Sequence, residues 1–360
     1  MQKAKRLKVG DKVAIVSLSS GMLGETANAH NLDIGTKRLQ EFGLEVAFMP
    51  NTLKGLDYLQ RHPEKRAEDL KAAFLDPSIK GIICAIGGDD TYRLLPYLMD
   101  DEDFLTAVKQ NPKLFTGFSD TTINHLLFYK LGLSTYYGPS FVTDLADISN
   151  EMLPYTKNWF ANFIEGQKEL TEIKPSEFWY EERTDFSKAA VGTKRVKHRE
   201  TRGYESLQGP TSFSGSLFGG CLDSFYDILT TARYSDEKEI CETYGLFPSN
   251  EQLKGKILFL ETSEEKPKPE EFRKMLETLK VRGVFDVVKG VLFGKPQDEV
   301  FYEEYKQVIK EELDDFPLSV VCNVNFGHAF PRAVLAYGIE VEVAIENQCI
   351  LFMESLFTNK

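Results

Sequence analysis

The sequence predicts an α/β protein of two lobes, an amino-terminal doubly wound, mostly parallel sheet followed by a second α/β domain. Three observations predict it. Short β-branched runs alternate with amphipathic stretches as far as Lys130, the rhythm of βαβ units. That rhythm fades between roughly Glu165 and Gly209, where charged residues crowd around Trp179, Tyr180 and Tyr204, and it resumes beyond. A chain of 360 residues with 42% hydrophobic content favours two cores over one. The expected limits are 1–165 for the first domain, 166–209 for a linker or active-site insertion, and 210–360 for the second domain.

Taken in order, Val13 to Leu18 reads as a first strand, Asn31 to Phe42 as a helix and Glu45 to Met49 as the next strand. A helix around Pro63 to Phe74 leads to a strand from Gly81 to Ile86 and a helix from Thr91 to Met99. A strand from Leu114 to Phe118 then feeds a helix from Thr121 to Lys130. After the charged stretch come a glycine-rich segment, Gly215 to Gly220, and a helix near Leu222 to Thr230. Strands are expected at Lys256–Leu260, 290–293 and 318–323, with helices at 269–280 and 302–313 between them. The tail from Ile339 to Phe352 alternates like a hairpin turning at Glu346, Asn347 and Gln348.

The net charge of -12, with no long basic stretch, does not support a nucleic-acid polymer as partner. The first apolar run is too short to span a membrane, and no signal-type segment precedes it. Five cysteines, an odd number without a C-x-x-C pair, fit reduced thiols in a cytoplasm. Five histidines include no H-x-x-x-H pair, so neither a metal nor another cofactor is expected.

The residues suited to chemistry lie just past strand ends. Ser119, in Gly117-Phe118-Ser119-Asp120, sits where a strand passes into a helix, so its hydroxyl stands at a sharp turn with the free amide of Asp120 beside it. As an isolated motif, Ser119-Asp120-Thr121 is better described as a helix cap, and Thr121 departs from the G-x-S-x-G elbow. The Gly87-Gly88-Asp89-Asp90 turn follows another apolar strand, and the amide of Gly88 is a candidate second oxyanion donor. His328 lies on a loop between Gly327 and Pro331, where an imidazole can carry a proton between nucleophile and leaving group. Glu261 ends the strand Ile257-Leu258-Phe259-Leu260 and can orient that imidazole, while Glu264 and Glu265 read as solvated loop charges. Ser119, Glu261, His328 and the Gly87-Gly88 turn all fall at carboxyl ends of strands, the ligand-binding edge of α/β sheets.

These segments, together with Gly10-Asp11-Lys12-Val13-Ala14-Ile15-Val16 and Ser19, resemble the LD-carboxypeptidase family of serine peptidases over nearly the whole chain. The resemblance implies a Ser119, His328 and Glu261 triad, an amino-terminal domain like class I amidotransferases, a swivelling-type second domain, and homodimers without metal. The run Glu261-Thr262-Ser263-Glu264-Glu265 and the segments Ser176 to Trp179 and Arg202 to Leu207 are similar to the microcin C self-immunity branch. That likeness implies a peptidyl- or aminoacyl-nucleotide substrate, with Gly87, Asp89 and Trp179 as substrate-binding residues and Trp179 stacking on the base. Lys194, Arg195, Lys197, Arg199 and Arg202 are candidates to meet a phosphate or carboxylate. The chain departs from the family pattern at Cys221, Tyr204, Val334 and Ala336. Removal of D-alanine from a murein tetrapeptide is the alternative within the family, and a catalytically inactive small-molecule binding protein is the alternative outside it.

Overall fold

The computed structural model describes residues 1–358 and contains two mixed sheets with helices packed around them. In the first sheet, β1 (Lys12–Val16), β2 (Glu45–Phe48), β3 (Ile79–Cys84), β4 (Leu114–Gly117) and β5 (Tyr136–Tyr137) are all parallel. They stand in the order β5-β4-β3-β1-β2. Almost every residue of β1, β3 and β4 is buried, as expected of central parallel strands covered on both faces, and β2 at the edge is only half-buried. The order reverses at β1 and β3, which opens a crevice beyond their carboxyl ends. The turns Ser17 to Ser20 and Gly87-Gly88 flank it.

The helix Thr121–Lys130 has the expected limits and is buried around nearly its whole circumference, because it lies between the two sheets. The expected helix Thr91 to Met99 divides into a 3-10 turn, Thr91–Leu94, and an α-helix, Leu95–Met99. Pro96 explains the division, since a residue without an N–H is tolerated only in the first turn. A helix at Glu102–Gln110 was not anticipated, although Asp101 caps it by accepting the Phe104 N–H at 2.9 Å.

The second half carries β6 (Glu172–Ile173), β7 (Phe178–Tyr180), β8 (Lys197–Arg199), β9 (Glu205–Gln208), β10 (Ser212–Cys221) and β11 (Ile257–Glu261). They are followed by β12 (Gly290–Gly294), β13 (Ser319–Val324), β14 (Leu335–Ala336), β15 (Glu340–Ala344) and β16 (Cys349–Phe352). Eight of these form a sheet in the order β6-β16-β15-β10-β11-β12-β13-β9, parallel from β10 to β13 and antiparallel outside that block. The glycine-rich segment, given no element from the sequence, lies in this sheet. It is the long central strand β10, where a Cβ at Gly219 would fall 1.9 Å from the Phe259 carbonyl oxygen of β11. The tail hairpin forms as expected from β15 and β16, with Gln348 in the left-handed region at φ 50°.

The aperiodic stretch proves to be stitched into the fold. β6 and β9 close opposite edges of the second sheet, and β7 pairs with β8 in a separate hairpin. Its short strands carry no alternation long enough to read. β14 leaves the second half of the chain and adds an antiparallel edge to the first sheet through Leu335 and Ala336 against Tyr137 and Tyr136. One continuous hydrophobic cluster runs through both sheets.

Arg66, on the helix Pro63–Leu75, holds the two sides of the crevice together. Its fully buried guanidinium donates to the carbonyls of Leu18 and Ser19 and forks onto Asp90, at 2.5 and 3.1 Å. Arg66→Ala leaves buried Asp90 with only the more distant Arg93, at 3.8 Å, and should lower unfolding stability by about 3–5 kcal/mol. Urea denaturation measures it, and a loss under about 1 kcal/mol, the size expected of a surface pair, contradicts it.

Candidate active site

β4 ends at Gly117 and the helix Thr121–Lys130 begins four residues later. Ser119 lies between them with φ 66°, a left-handed conformation that turns its side chain out of the strand. Two groups fix this elbow. His125, buried, donates from Nε2 to the Gly117 carbonyl at 3.0 Å and faces the Thr135 hydroxyl at 2.8 Å through Nδ1. Burial pushes its pKa down to about 3, so the ring stays neutral. Tyr137 Oη accepts the Ser119 N–H at 3.1 Å. Across the crevice, a Cβ at Gly87 would sit 2.9 Å from Ser119 Oγ and 3.3 Å from the Asp120 nitrogen. Any other residue there would cover both the hydroxyl and the amide. Asp120 itself is buried and accepts the Thr91 N–H at 3.0 Å, and burial raises its carboxyl pKa to about 7.

Glu261 ends β11, buried, and accepts three hydrogen bonds. Tyr137 Oη donates at 2.5 Å, the His328 N–H at 3.0 Å and His328 Nδ1 at 2.8 Å. The loop after β13 brings His328 this close only because residue 327 is glycine, at φ 80°, where a Cβ would meet Glu261 Cδ at 2.3 Å. The other face of the imidazole is also taken: Nε2 lies 2.9 Å from Glu264 Oε2. Phe118 packs edge-on against the ring at 5.0 Å between centroids.

Burial works against the charged imidazole, but the carboxylates of Glu261 and Glu264 more than offset it and raise its pKa to about 10. The Glu264 carboxyl is correspondingly held down to about 2, chiefly by its hydrogen bond to His328. His328 is thus an imidazolium in the free protein. Since its folded value lies above the ordinary 6.5, its protonation stabilises the fold fully below that pH, and the contribution is lost as pH rises through about 10. NMR titration of the ring should show a midpoint near 10, and Glu264→Gln should bring it down. A midpoint near the ordinary 6.5 in the unaltered protein contradicts the arrangement.

Ser119, His328, Gly87 and Gly88 line one cleft of about 360 Å³, a size suited to a small organic ligand. Its far wall comes from the charged stretch and from the loop after His328. Phe330 lies between two guanidiniums, Arg195 at 3.7 Å and Arg332 at 4.4 Å from its ring centre. Arg332 pairs with Asp144 at 2.9 Å, and Arg195 with Asp147 at 2.8 Å. At the mouth stands Phe186, 54% exposed, its carbonyl bonded to His30 Nε2 at 3.0 Å.

Two expected binding residues stand away from this lining. Asp89 is exposed and faces Arg233 at 3.6 Å. Trp179, on β7, stacks on His198 of β8 at 4.2 Å, with Lys295 Nζ 5.2 Å from its ring. Of the basic residues, Arg195 reaches the cleft, whereas Arg202 pairs with Glu299 at 2.7 Å and Lys197 lies over Phe178 at 3.9 Å. Lys194 and Arg199 are exposed. Cys221 is buried with its Sγ 3.7 Å from Asp223, and Tyr204 is buried. Val334 and Ala336 are buried, the latter in β14.

Sequence reasoning missed Tyr137, Glu264, Phe186 and Arg332. For Glu264 the signal was its spacing from Glu261, three residues along the same polar run. Tyr137 had no local signal, because both its partners are far away in sequence.

The model of the LD-carboxypeptidase N-terminal domain matches residues 13–138, and that of the LD-carboxypeptidase C-terminal domain matches residues 214–343. A crystal structure of an MccF-like protein from Streptococcus pneumoniae, in complex with AMP, superposes with a TM-score of 0.92 at 50% identity, covering 95% of this chain and 98% of that one. An MccF-like protein from Bacillus anthracis gives 0.78 at 26% identity, covering 97% and 98%. The microcin C7 self-immunity protein MccF of Escherichia coli is 25% identical over 365 residues, 98% of this chain and 96% of its own length. Among the described residues no helix is long and apolar enough to cross a membrane. With both family models matched in order along a chain whose two sheets meet at the cleft, the protein belongs to the LD-carboxypeptidase family of serine hydrolases.

Proposed function

We propose that this chain hydrolyses the amide bond joining an aminoacyl or peptidyl group to a nucleotide, with Ser119 as nucleophile, His328 as general base and Glu261 as its orienting carboxylate. The observation that carries the reading is the 2.8 Å pairing of His328 with Glu261 in the cleft that also exposes Ser119 at its left-handed turn.

Ser119 Oγ attacks the acyl carbonyl carbon and its proton passes to His328 Nε2. The oxyanion accepts from the Gly88 and Asp120 amides, which the side-chain-free Gly87 leaves open. Collapse breaks the carbon–nitrogen bond as Nε2 returns the proton to the leaving nitrogen. Water then repeats the sequence on the acyl ester and regenerates the hydroxyl. The imidazole acts in this cycle only as the neutral base, so Glu264 has to leave Nε2 before attack.

The nucleotide half would occupy the outer cleft, its base against Phe186. Two features support this placement: an exposed aromatic face suits any nucleobase, and the Streptococcus pneumoniae relative was crystallised with AMP. In this structure Trp179 is committed to His198, which leaves Phe186 the better platform.

Ser119→Ala should reduce turnover of an aminoacyl-sulfamoyl adenosine by at least about 10⁴-fold while AMP still binds. Chromatographic product analysis checks it, and undiminished turnover excludes the mechanism. A tetrapeptide ending in D-alanine, run in parallel, should be the poorer substrate. Phe186→Ala should raise the KM for the nucleotide substrate by about 10- to 100-fold with little change in kcat, the size of one lost base stack. An unchanged KM removes Phe186 from the site.

A further inference from the structure

Glu264 occupies the atom that the nucleophile needs. Its Oε2 is 2.9 Å from His328 Nε2, and among the described residues no hydrogen bond joins Ser119 Oγ to that nitrogen. The side chain is 64% exposed and stands on the loop that follows β11, so it can swing away without unfolding anything. Among the described residues no other cation pairs with it at ion-pair distance, and Arg233 acts on it only through space. Arg233 is itself shared by Glu265 at 2.9 Å, Asp227 at 3.0 Å and Asp89 at 3.6 Å. Separating Glu264 from the imidazolium is therefore favoured by a positive charge that can pair with it directly, which the already engaged Arg233 does not do.

The substrate class proposed above carries such a charge. In an aminoacyl group the α-ammonium is borne on the carbon next to the scissile carbonyl. Ser119, His328 and Glu264 line one cleft, so with that carbonyl at near-attack distance from Ser119, about 3–3.5 Å, an ammonium one carbon away can turn toward the imidazole edge that Glu264 covers. We propose that Glu264 is a specificity residue: it holds His328 in the resting enzyme and is drawn off by the free α-ammonium of the bound acyl group. Binding of the ammonium form leaves the Glu264–ammonium pair intact and releases the Nε2 proton to solvent. Ser119 Oγ then donates to the vacated nitrogen. An acyl group without the amine leaves the resting pair in place, so Glu264 selects for unblocked aminoacyl groups.

This inference rests on the aminoacyl-nucleotide reading, and binding to the Ser119→Ala enzyme separates the two. Alanyl-sulfamoyl adenosine and propionyl-sulfamoyl adenosine differ by one ammonium group and are titrated calorimetrically beside free alanine amide and AMP. In Ser119→Ala the alanyl compound should bind at least ten-fold tighter than the propionyl compound, and Glu264→Gln on the same background should bring that ratio below about two. Equal affinities in Ser119→Ala, or a ratio that survives Glu264→Gln, overturn the role of Glu264. If the amine effect appears while the adenosine moiety adds no affinity over alanine amide, the nucleotide reading fails and the ammonium selection stands. Turnover in the Glu264→Gln enzyme with Ser119 intact supplies a second readout: propionyl hydrolysis should rise relative to alanyl hydrolysis, and a parallel fall of both overturns the selection.

Discussion

The carboxylate of Glu261 is the group on which the rest of the site depends. A carboxylate buried this deeply is tolerated only when its oxygens are satisfied, and here the donors come from two distant parts of the fold. The Tyr137 phenol belongs to the first sheet, and the backbone and ring of His328 belong to the loop after β13. Tyr137 Oη simultaneously accepts the Ser119 N–H, so one phenol links the turn that exposes the serine to the acid that orients the histidine. The sheets cannot shift relative to one another without breaking one of these bonds. Cooperative polar networks of this kind rigidify a site when every member is satisfied.

The charges in the cleft are arranged in series, with an imidazolium between two carboxylates. Electrostatically this is a comfortable ground state, and for the mechanism proposed above a poor reactive one, because the proton sits on the nitrogen that in that mechanism accepts one. The inner carboxylate is fixed by two further donors, while the outer one is exposed and on a loop. That asymmetry decides which half of the arrangement persists during a reaction and which half yields.

Much of this was legible in the sequence because it depends on local pattern. A serine between a strand and a helix, a glutamate closing an apolar run and a histidine between glycine and a nearby proline each announce a strand's carboxyl end. The α/β rhythm places such ends along one edge. The two glycine turns at 87 and 327 were equally visible, and their reason is now steric, since each admits a neighbour that a side chain would displace. What escaped was whatever depends on contacts across long separations. Tyr137 is an ordinary strand aromatic until β11 is placed beside it. Glu264 reads as a solvated loop charge until the loop folds back over His328. The strand nature of 212–221 was hidden because its glycines, which weaken strand propensity, are there to let β11 approach. Trp179 drew attention as the aromatic of the charged stretch, yet three-residue β7 holds it against β8 and gives the cleft mouth to Phe186.

The short strand β14 carries a consequence for how the polypeptide behaves as a unit. It belongs by position to the second half of the chain and by pairing to the first sheet, so it completes a sheet whose other strands end near residue 137. A fragment containing only the first half would present β5 as a bare edge, with unpaired N–H and C=O groups inviting association with another chain.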